Sequence, residues 1–172
     1  MPALAVAPEP VNTEPLAFDA LYREHAADVF AYVMSLLRHR ASAEDVTMAA
    51  FERAFRRRES FDPRRGTERA WLFGIARNAA LDELRRRKRV APLLGDLADD
   101  AEGGEQDDPL RRAAVRAALA GLDPRERELV SLKFIAGLSN AEIADVIGTS
   151  ATNAGTRLHR VVIKLREACR EA

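Results

Sequence analysis

Apolar side chains recur at steps of three and four residues in the first third of the chain, which is the period of an amphipathic helix. The first such run predicts a helix of about five turns, and its apolar members are Phe18, Leu21, Tyr22, Ala26, Val29, Phe30, Val33, Met34 and Leu37. Ser42 followed by Asp45 predicts the capped start of a second helix. Thr67 is expected to cap a third, whose buried face begins at Trp71. Three packed helices predict one small domain over residues 16–89.

The periodic pattern stops after residue 89 and returns after residue 109. Prolines and glycines lie among acidic residues there, which predicts a flexible acidic linker over 90–109. A proline-rich start predicts a disordered tail over 1–15. Shorter periodic runs predict a second domain over 110–172, with helices at about 110–120, 124–136, 140–147 and 151–169. The expected fold is all-α, with a three-helix N-terminal domain and a second, helical C-terminal domain.

The segment 140–150 has the pattern of a helix-turn-helix. Small Ala144 allows two helices to cross closely, Gly148 suits the turn and Ser150 suits the next cap. The seam between the two helices is expected at Ile143, Val146, Ala154, Leu158 and Val161. The outer face near the start of the second helix, which is the part that reaches a major groove, then holds Thr152, Asn153, Thr156, His159 and Arg160.

Three further bases near this face, Arg157, Lys164 and Arg166, are candidates for neutralising DNA phosphates. An ordinary helical hairpin with a basic exterior is the alternative. Gly155 is unusual there, because glycine within a helix costs about 1 kcal/mol relative to alanine. It either permits a close backbone approach or weakens recognition.

Composition narrows the class of protein. Of 172 residues, 47% are hydrophobic, 31% charged and 6% aromatic, which favours a globular helical protein. One cysteine and three scattered histidines provide neither an internal disulfide nor a zinc ligand set, and no catalytic triad or phosphate-binding glycine loop is visible. We therefore expect no enzyme, metal or cofactor. Without a signal peptide or an apolar run of about 18 residues, a cytoplasmic protein with no membrane insertion is expected.

The formal net charge of +0 conceals a segregated pattern. The net charge is −4 over residues 1–51, +7 over 52–89, −7 over 90–109 and +4 over 110–172. Two basic blocks around an acidic connector suggest polyanion contacts on two separate surfaces. Solvated helix faces joined by a disordered linker would give the same pattern, so charge alone leaves both interpretations open.

Two segments in a fixed order resemble a known family. AWLFGIARNAALDELRRRKR at 70–89 and LSNAEIADVIGTS followed by TRLHR at 138–160 are similar to the second and fourth conserved regions of bacterial extracytoplasmic-function (ECF) sigma factors of RNA polymerase. Ala43-Glu44-Asp45 upstream and the run at 122–127 add to the resemblance, which covers residues 16–169. It implies a transcription initiation factor that binds core RNA polymerase and directs it to promoter DNA.

The resemblance also implies roles for individual residues. The loop 61–67 and the following helix would read and melt the promoter −10 element, through Arg64, Arg65, Arg69, Arg77, Asn78, Asp82, Arg85 and Arg86. The outer face of the helix-turn-helix, with Arg157 and Lys164, would read the −35 element. The helix over 43–57 would dock on the polymerase clamp, through Asp45, Met48, Ala49, Glu52 and Arg53.

Residues 90–109 would be the linker that runs through the polymerase, either as a nucleic-acid mimic or as a passive spacer. An anti-sigma factor is implied as a further partner. Two positions depart from the family pattern. Met48-Ala49 stands where a Gln-Glu pair is usual, which leaves an apolar patch, and Gly155 stands where a basic residue is frequent. A stand-alone helix-turn-helix DNA-binding regulator is the alternative function, although no segment remains for a dimerisation or ligand domain.

Overall fold

The computed structural model describes residues 17–94 and 109–171, so the predicted tail and most of the predicted linker lie outside the described residues. Within these ranges the chain is helical and has no strand, which confirms the all-α prediction. The helices are α1 Phe18–Leu37, α2 Arg40–Arg56, α3 Glu68–Leu94, α4 Pro109–Ala120, α5 Pro124–Val130, α6 Asn140–Ile147 and α7 Ala151–Glu171. A 3₁₀ turn spans Arg58–Ser60 and a π segment spans Ser131–Ile135.

Three helix boundaries differ from the sequence prediction. Helix α5 ends at Val130, where the π segment replaces the helix that was predicted to continue to about residue 136. The cap of α2 is His39, whose Nδ1 accepts a hydrogen bond from the Ser42 backbone N–H at 3.3 Å. An imidazole nitrogen replaces the expected serine oxygen, so the expected cap at Ser42 was wrong. Helix α3 continues to Leu94, beyond the predicted boundary at residue 89. Loss of the apolar stripe did not mark the end of α3, because arginine, lysine and leucine still favour helix.

Other local signals were read correctly. Thr67 Oγ1 accepts a hydrogen bond from the Ala70 N–H at 3.1 Å and so caps α3. Gly148 ends α6 in the left-handed region at φ 71°, where a residue without Cβ avoids strain. Ser150 Oγ accepts from the Asn153 N–H at 3.2 Å at the start of α7. The helix-turn-helix geometry predicted from residues 140–150 is confirmed.

The two helical units share one continuous core. Leu72 and Phe73 of α3 belong to the same buried cluster as Leu132 of the π segment, Leu138, and Ile143 of α6. Helix α3 packs against α6, and α1 packs against the π segment. The sequence predicted two helical units joined by a linker, and the helices do follow that order along the chain. In this structure the two units are packed together.

Candidate nucleic-acid interface

A cleft lies between the loop 61–67 and the face of α3 that bears Asn78. Its volume is about 380 Å³, within the range of ordinary ligand pockets. Phe61, Arg65 and Trp71 line it together with the exposed Asn78. The loop and the amide that the sequence associated with the −10 element therefore lie side by side.

One wall of this cleft is aromatic. The rings of Phe61 and Trp71 lie 5.4 Å apart and are inclined at 56°. Trp71 is half-buried, because it contacts the core with one side and lines the cleft with the other. The sequence favours a core position for Trp71 over an exposed stacking position, and the structure gives this ring both a core contact and a place in the cleft wall. A second aromatic residue in the Pro- and Gly-containing loop 61–67 was the signal that could have identified this wall.

The predicted −10 arginines fall into three groups. Arg64 and Arg65 are exposed on a turn in which the Arg64 backbone N–H donates to Asp62 Oδ1 at 3.0 Å and the Arg65 N–H donates to the Asp62 carbonyl at 3.0 Å. These hydrogen bonds use only the backbone donors of the two arginines, and Arg65 also lines the cleft. Both side chains are accessible to solvent.

Arg69 and Arg77 form the second group, and both are engaged by the C-terminal unit. Arg69 donates to the Ala136 carbonyl and to Asp28 Oδ2, the latter at 3.0 Å. Arg77 makes a two-pronged pair with the buried Glu128, with Nε–Oε1 at 2.5 Å and Nη2–Oε2 at 3.3 Å. Burial alone would lower the pKa of Arg77, but the hydrogen bond and charge of Glu128 outweigh it and leave that pKa raised. In this arrangement neither side chain is available to DNA.

The remaining −10 candidates extend along exposed α3. Asp82 contacts Arg85 at 3.0 Å and Arg53 of α2 at 3.7 Å. Arg86 donates to Glu83 at 2.7 Å, and this hydrogen bond, with a further one from Arg87, holds the pKa of Glu83 below its ordinary value against the effect of burial. Glu83 therefore stays ionised and holds the side chains of Arg86 and Arg87 in place. With Asp82 and Arg85, they give this part of α3 a charged surface.

The outer face of α7 is open to solvent. Thr152, Asn153, Thr156, His159 and Arg160 are all exposed, and Arg157 is half-buried. Asn153 Nδ2 donates to Thr149 Oγ1 at 2.7 Å, which holds its amide toward the turn before α7. The structure thus brings five of the seven predicted −35 residues onto one accessible face.

Two C-terminal positions differ from their sequence interpretation. Lys164 donates to Glu126 of α5 at 2.7 Å, so in this structure it contributes to packing α5 on α7. Gly155 is half-buried and faces α6, because a Cβ there would lie 3.0 Å from Asn140 Nδ2. The close approach that Gly155 permits is therefore to Asn140 within the protein.

The predicted clamp surface is the exposed side of α2. Asp45, Glu52 and Arg53 are exposed, Ala49 is half-buried and Met48 is 54% exposed. Beside it, four aromatic rings of α1 and α2 pack edge to face, with Phe18–Phe55 at 5.1 Å and Tyr22–Phe51 at 4.8 Å. Tyr22 and Phe55 stay about half exposed. The apolar patch expected at Met48 is thus part of a larger surface.

Within residues 17–94 and 109–171, no cluster of three or more His, Cys, Asp or Glu side chains could hold a metal ion. None of the helices in these ranges combines the length and the apolar character that crossing a membrane requires.

Comparisons with known proteins identify the family of the chain. Residues 21–90 match the family model for sigma-70 region 2, and residues 112–165 match that for sigma-70 region 4. The chain is 35% identical over 158 residues to the ECF RNA polymerase sigma factor SigL of Mycobacterium tuberculosis, covering 88% of each. It is 37% identical over 155 residues to the RNA polymerase sigma factor CarQ of Myxococcus xanthus, again covering 88% of each.

Among solved structures, CnrH in complex with the cytosolic domain of CnrY is similar at a TM-score of 0.64 and 28% identity, covering 90% of this chain and 88% of CnrH. The two matched regions occur in the order that the sequence predicted. The chain belongs to the ECF sigma factors, promoter-specific initiation factors of RNA polymerase.

Proposed function

We propose that the cleft between the loop 61–67 and α3 receives an unstacked base of the promoter −10 element. The observation that carries this proposal is the junction of an aromatic wall, Phe61 and Trp71, with the exposed amide of Asn78. An aromatic face stacks on any base, and an amide offers both a donor and an acceptor to a base edge. Arg64 and Arg65 would hold the adjoining phosphates of the displaced strand.

The −35 element would be read by α7. Its accessible residues near the N-terminus, Thr152, Asn153 and Thr156, lie where a recognition helix meets base edges. Arg160, one turn further along, would make the strongest contact, since arginine bonds the two acceptors of guanine in the major groove. The C-terminal unit would thus position the protein on the duplex, and the N-terminal unit would open the −10 region.

Docking on core polymerase is proposed for the exposed side of α2. Asp45, Glu52 and Arg53 supply charge, and Met48 with the neighbouring Tyr22 and Phe55 supplies apolar area. An interface with an apolar centre and a charged rim is the usual arrangement between proteins. Met48-Ala49 would then make an apolar contact where the family pattern has a Gln-Glu pair.

The working site would be the cytoplasm, where core polymerase and DNA meet. No covalent step is needed, because binding energy can drive strand opening. CnrH is solved with CnrY, and its likeness to this chain supports an anti-sigma factor as a further partner. A stand-alone DNA-binding regulator would not need the region 2 surface, so the initiation factor is the favoured function.

Asn78→Ala tests the base cleft. With core polymerase, it should leave closed-complex affinity within about threefold, a difference under roughly 1 kcal/mol, because α7 still holds the duplex. Permanganate-reactive thymines and transcript yield should fall strongly, and a pre-melted template should restore much of the yield. Asn140→Ala removes the same amide outside the cleft and serves as the matched control. Normal opening by the Asn78 variant would place the base pocket elsewhere.

A further inference from the structure

Several polar side chains at the start of α7 form hydrogen bonds within the protein. Ser150 Oγ accepts a hydrogen bond from the Asn153 backbone N–H at 3.2 Å, and Asn153 Nδ2 donates to Thr149 Oγ1 at 2.7 Å. Thr156 Oγ1 donates to the Thr152 carbonyl at 2.9 Å, one turn back along the helix. Part of the hydrogen-bonding capacity that could read a base edge is therefore already used by the protein.

The hydrogen bond to the helix backbone decides what Thr156 offers to DNA. A hydroxyl group has one proton, and that of Thr156 is donated to the Thr152 carbonyl. The other group on the Cβ of Thr156 is a methyl, which takes a different staggered direction from the hydroxyl. Residue 156 is exposed, so the methyl group is the part of this side chain that a groove can contact without breaking a hydrogen bond.

The residues beside Thr156 allow a close approach. Gly155 adds no side chain next to it, and Thr152, on the preceding turn, is short. The amide of Asn153 is held toward the turn before α7, and Arg157 is half-buried. Two methyl groups attract each other only when their carbons are about 3.5–4.0 Å apart, and these short neighbours permit that distance.

One base matches this chemistry. In the major groove thymine is the base that presents a methyl group, and the methyl of threonine is a suitable apolar contact for it. The Thr156 hydroxyl oxygen keeps its lone pairs, so an amine of adenine or cytosine could donate to it instead. The methyl and the hydroxyl can be removed separately, which distinguishes the two contacts.

We propose that Thr156 is a specificity-determining residue that selects thymine in the −35 element through a contact between two methyl groups. The proposal rests on the proposed function, since it names the base that α7 reads at this position. Arg160 lies one turn further on, about 6 Å along the helix axis. Base pairs are spaced about 3.4 Å apart, so the thymine should lie within about two base pairs of the guanine assigned to Arg160.

Removal of one methyl group from the DNA tests the contact. The probes are promoter duplexes from start sites that the full chain selects with core polymerase. Each thymine of the distal motif, on either strand, is replaced in turn by deoxyuridine, which lacks only the methyl group. Affinity of the holoenzyme for each labelled duplex is measured by fluorescence anisotropy at one salt concentration. At one position near the guanine, deoxyuridine should weaken binding by the parent about fourfold, as expected for one buried methyl group.

Two variants remove one group each from the protein. Thr156→Ser keeps the hydroxyl and loses the methyl, so it should bind the thymine duplex about fourfold more weakly than the parent and should bind thymine and deoxyuridine equally at that position. Thr156→Val keeps a methyl and loses the hydroxyl, so it should still prefer thymine. Circular dichroism checks that both variants fold.

Two results would overturn the proposal. One is a deoxyuridine penalty that is the same in the parent and in Thr156→Ser at every position of the motif. The other is loss of base selection in Thr156→Val with selection retained in Thr156→Ser, which would assign the contact to the hydroxyl.

The same experiment separates this proposal from the proposed function. If the chain and core polymerase give no discrete start sites, the proposed function is wrong and the assignment of Thr156 is wrong with it. If start sites are selected and Arg160→Ala relaxes one position, but the deoxyuridine penalty does not depend on residue 156, the function stands and the assignment of Thr156 is wrong.

Discussion

The Arg77–Glu128 pair gives the sharpest energetic prediction, because its two partners differ in burial. The side chain of Glu128 is 11% exposed and that of Arg77 is 23% exposed. Tyr32, fully buried beside the pair, has its pKa raised by burial and by the charge of Glu128, so the surroundings of the carboxylate are poorly solvated. If either Arg77 or Glu128 is replaced by an uncharged residue, the remaining charge loses its partner and does not regain full hydration.

A double-mutant cycle measures the consequence. Arg77→Met strands the more buried carboxylate and should cost about 3 kcal/mol, the lower end for breaking a buried pair because water reaches Arg77. Glu128→Gln leaves the more exposed guanidinium with one acceptor and should cost about 1–2 kcal/mol. The double variant should lose less than the two single costs combined, giving a coupling energy of about 2 kcal/mol.

Urea unfolding followed by circular dichroism gives the free energies, and the fluorescence of Trp71, the only tryptophan, reports on the cleft. The exposed i,i+4 pair Arg40–Glu44 is the control, with an expected coupling of about 0.3–0.5 kcal/mol. Separating the two units can cost less free energy than a substitution does. In that case the measured loss of stability is no larger than the free energy of separation. The Trp71 fluorescence then changes at a lower urea concentration than the circular dichroism signal of the helices. A coupling no larger than the control, or a greater cost for Glu128→Gln, would refute the reasoning.

Three further predictions follow from single positions. Tyr32→Phe should stabilise the protein by about 1 kcal/mol in urea unfolding, because the buried hydroxyl has no hydrogen-bond partner and the ring contact with Phe73 remains. A loss of stability would show that the hydroxyl is hydrogen-bonded. Gly155→Ala should raise the thermal midpoint and add up to about 1 kcal/mol, since the Asn140 side chain can move away from the new Cβ; a loss would mean that the contact is rigid. Burial alone would raise the pKa of Glu142, but hydrogen bonds from Thr67 and Ser139 outweigh it and hold that pKa below its ordinary value. Its stabilising effect is therefore present above about pH 4.5 and lost as the pH falls through the lowered pKa, so Glu142→Gln should lose less stability than the parent on acidification.

The sequence predicted most helices because their signals are local. Thr67, Gly148 and Ser150 act within one helical turn of themselves, so their chemistry can be read without knowing the fold. The cap at His39 was missed because histidine is a less frequent cap than the serine nearby. The end of α3 was missed because loss of an apolar stripe marks the end of a buried face and leaves the end of the helix undetermined.

The site was predicted in part for a related reason. Loop 61–67 and Asn78 are close in sequence, and both line the cleft. Arg69 and Arg77 were expected to be accessible, but their partners Ala136 and Glu128 are more than fifty residues away. Contacts between residues so distant in the chain leave no periodic or motif signal, so the engagement of these arginines could be found only in the structure.

The central claim is that this chain selects promoters for RNA polymerase. The most direct test transcribes genomic DNA from the source organism with purified core polymerase, with and without the chain. The 5′ ends of the RNA are then sequenced. The account predicts new, discrete start sites that share two short upstream motifs at a fixed spacing. Arg160→Ala should relax selection at one position of the distal motif, and Asn78→Ala should reduce yield at every site. Unchanged start sites, together with tight duplex binding by the chain alone, would contradict the account and identify a DNA-binding regulator that works without polymerase.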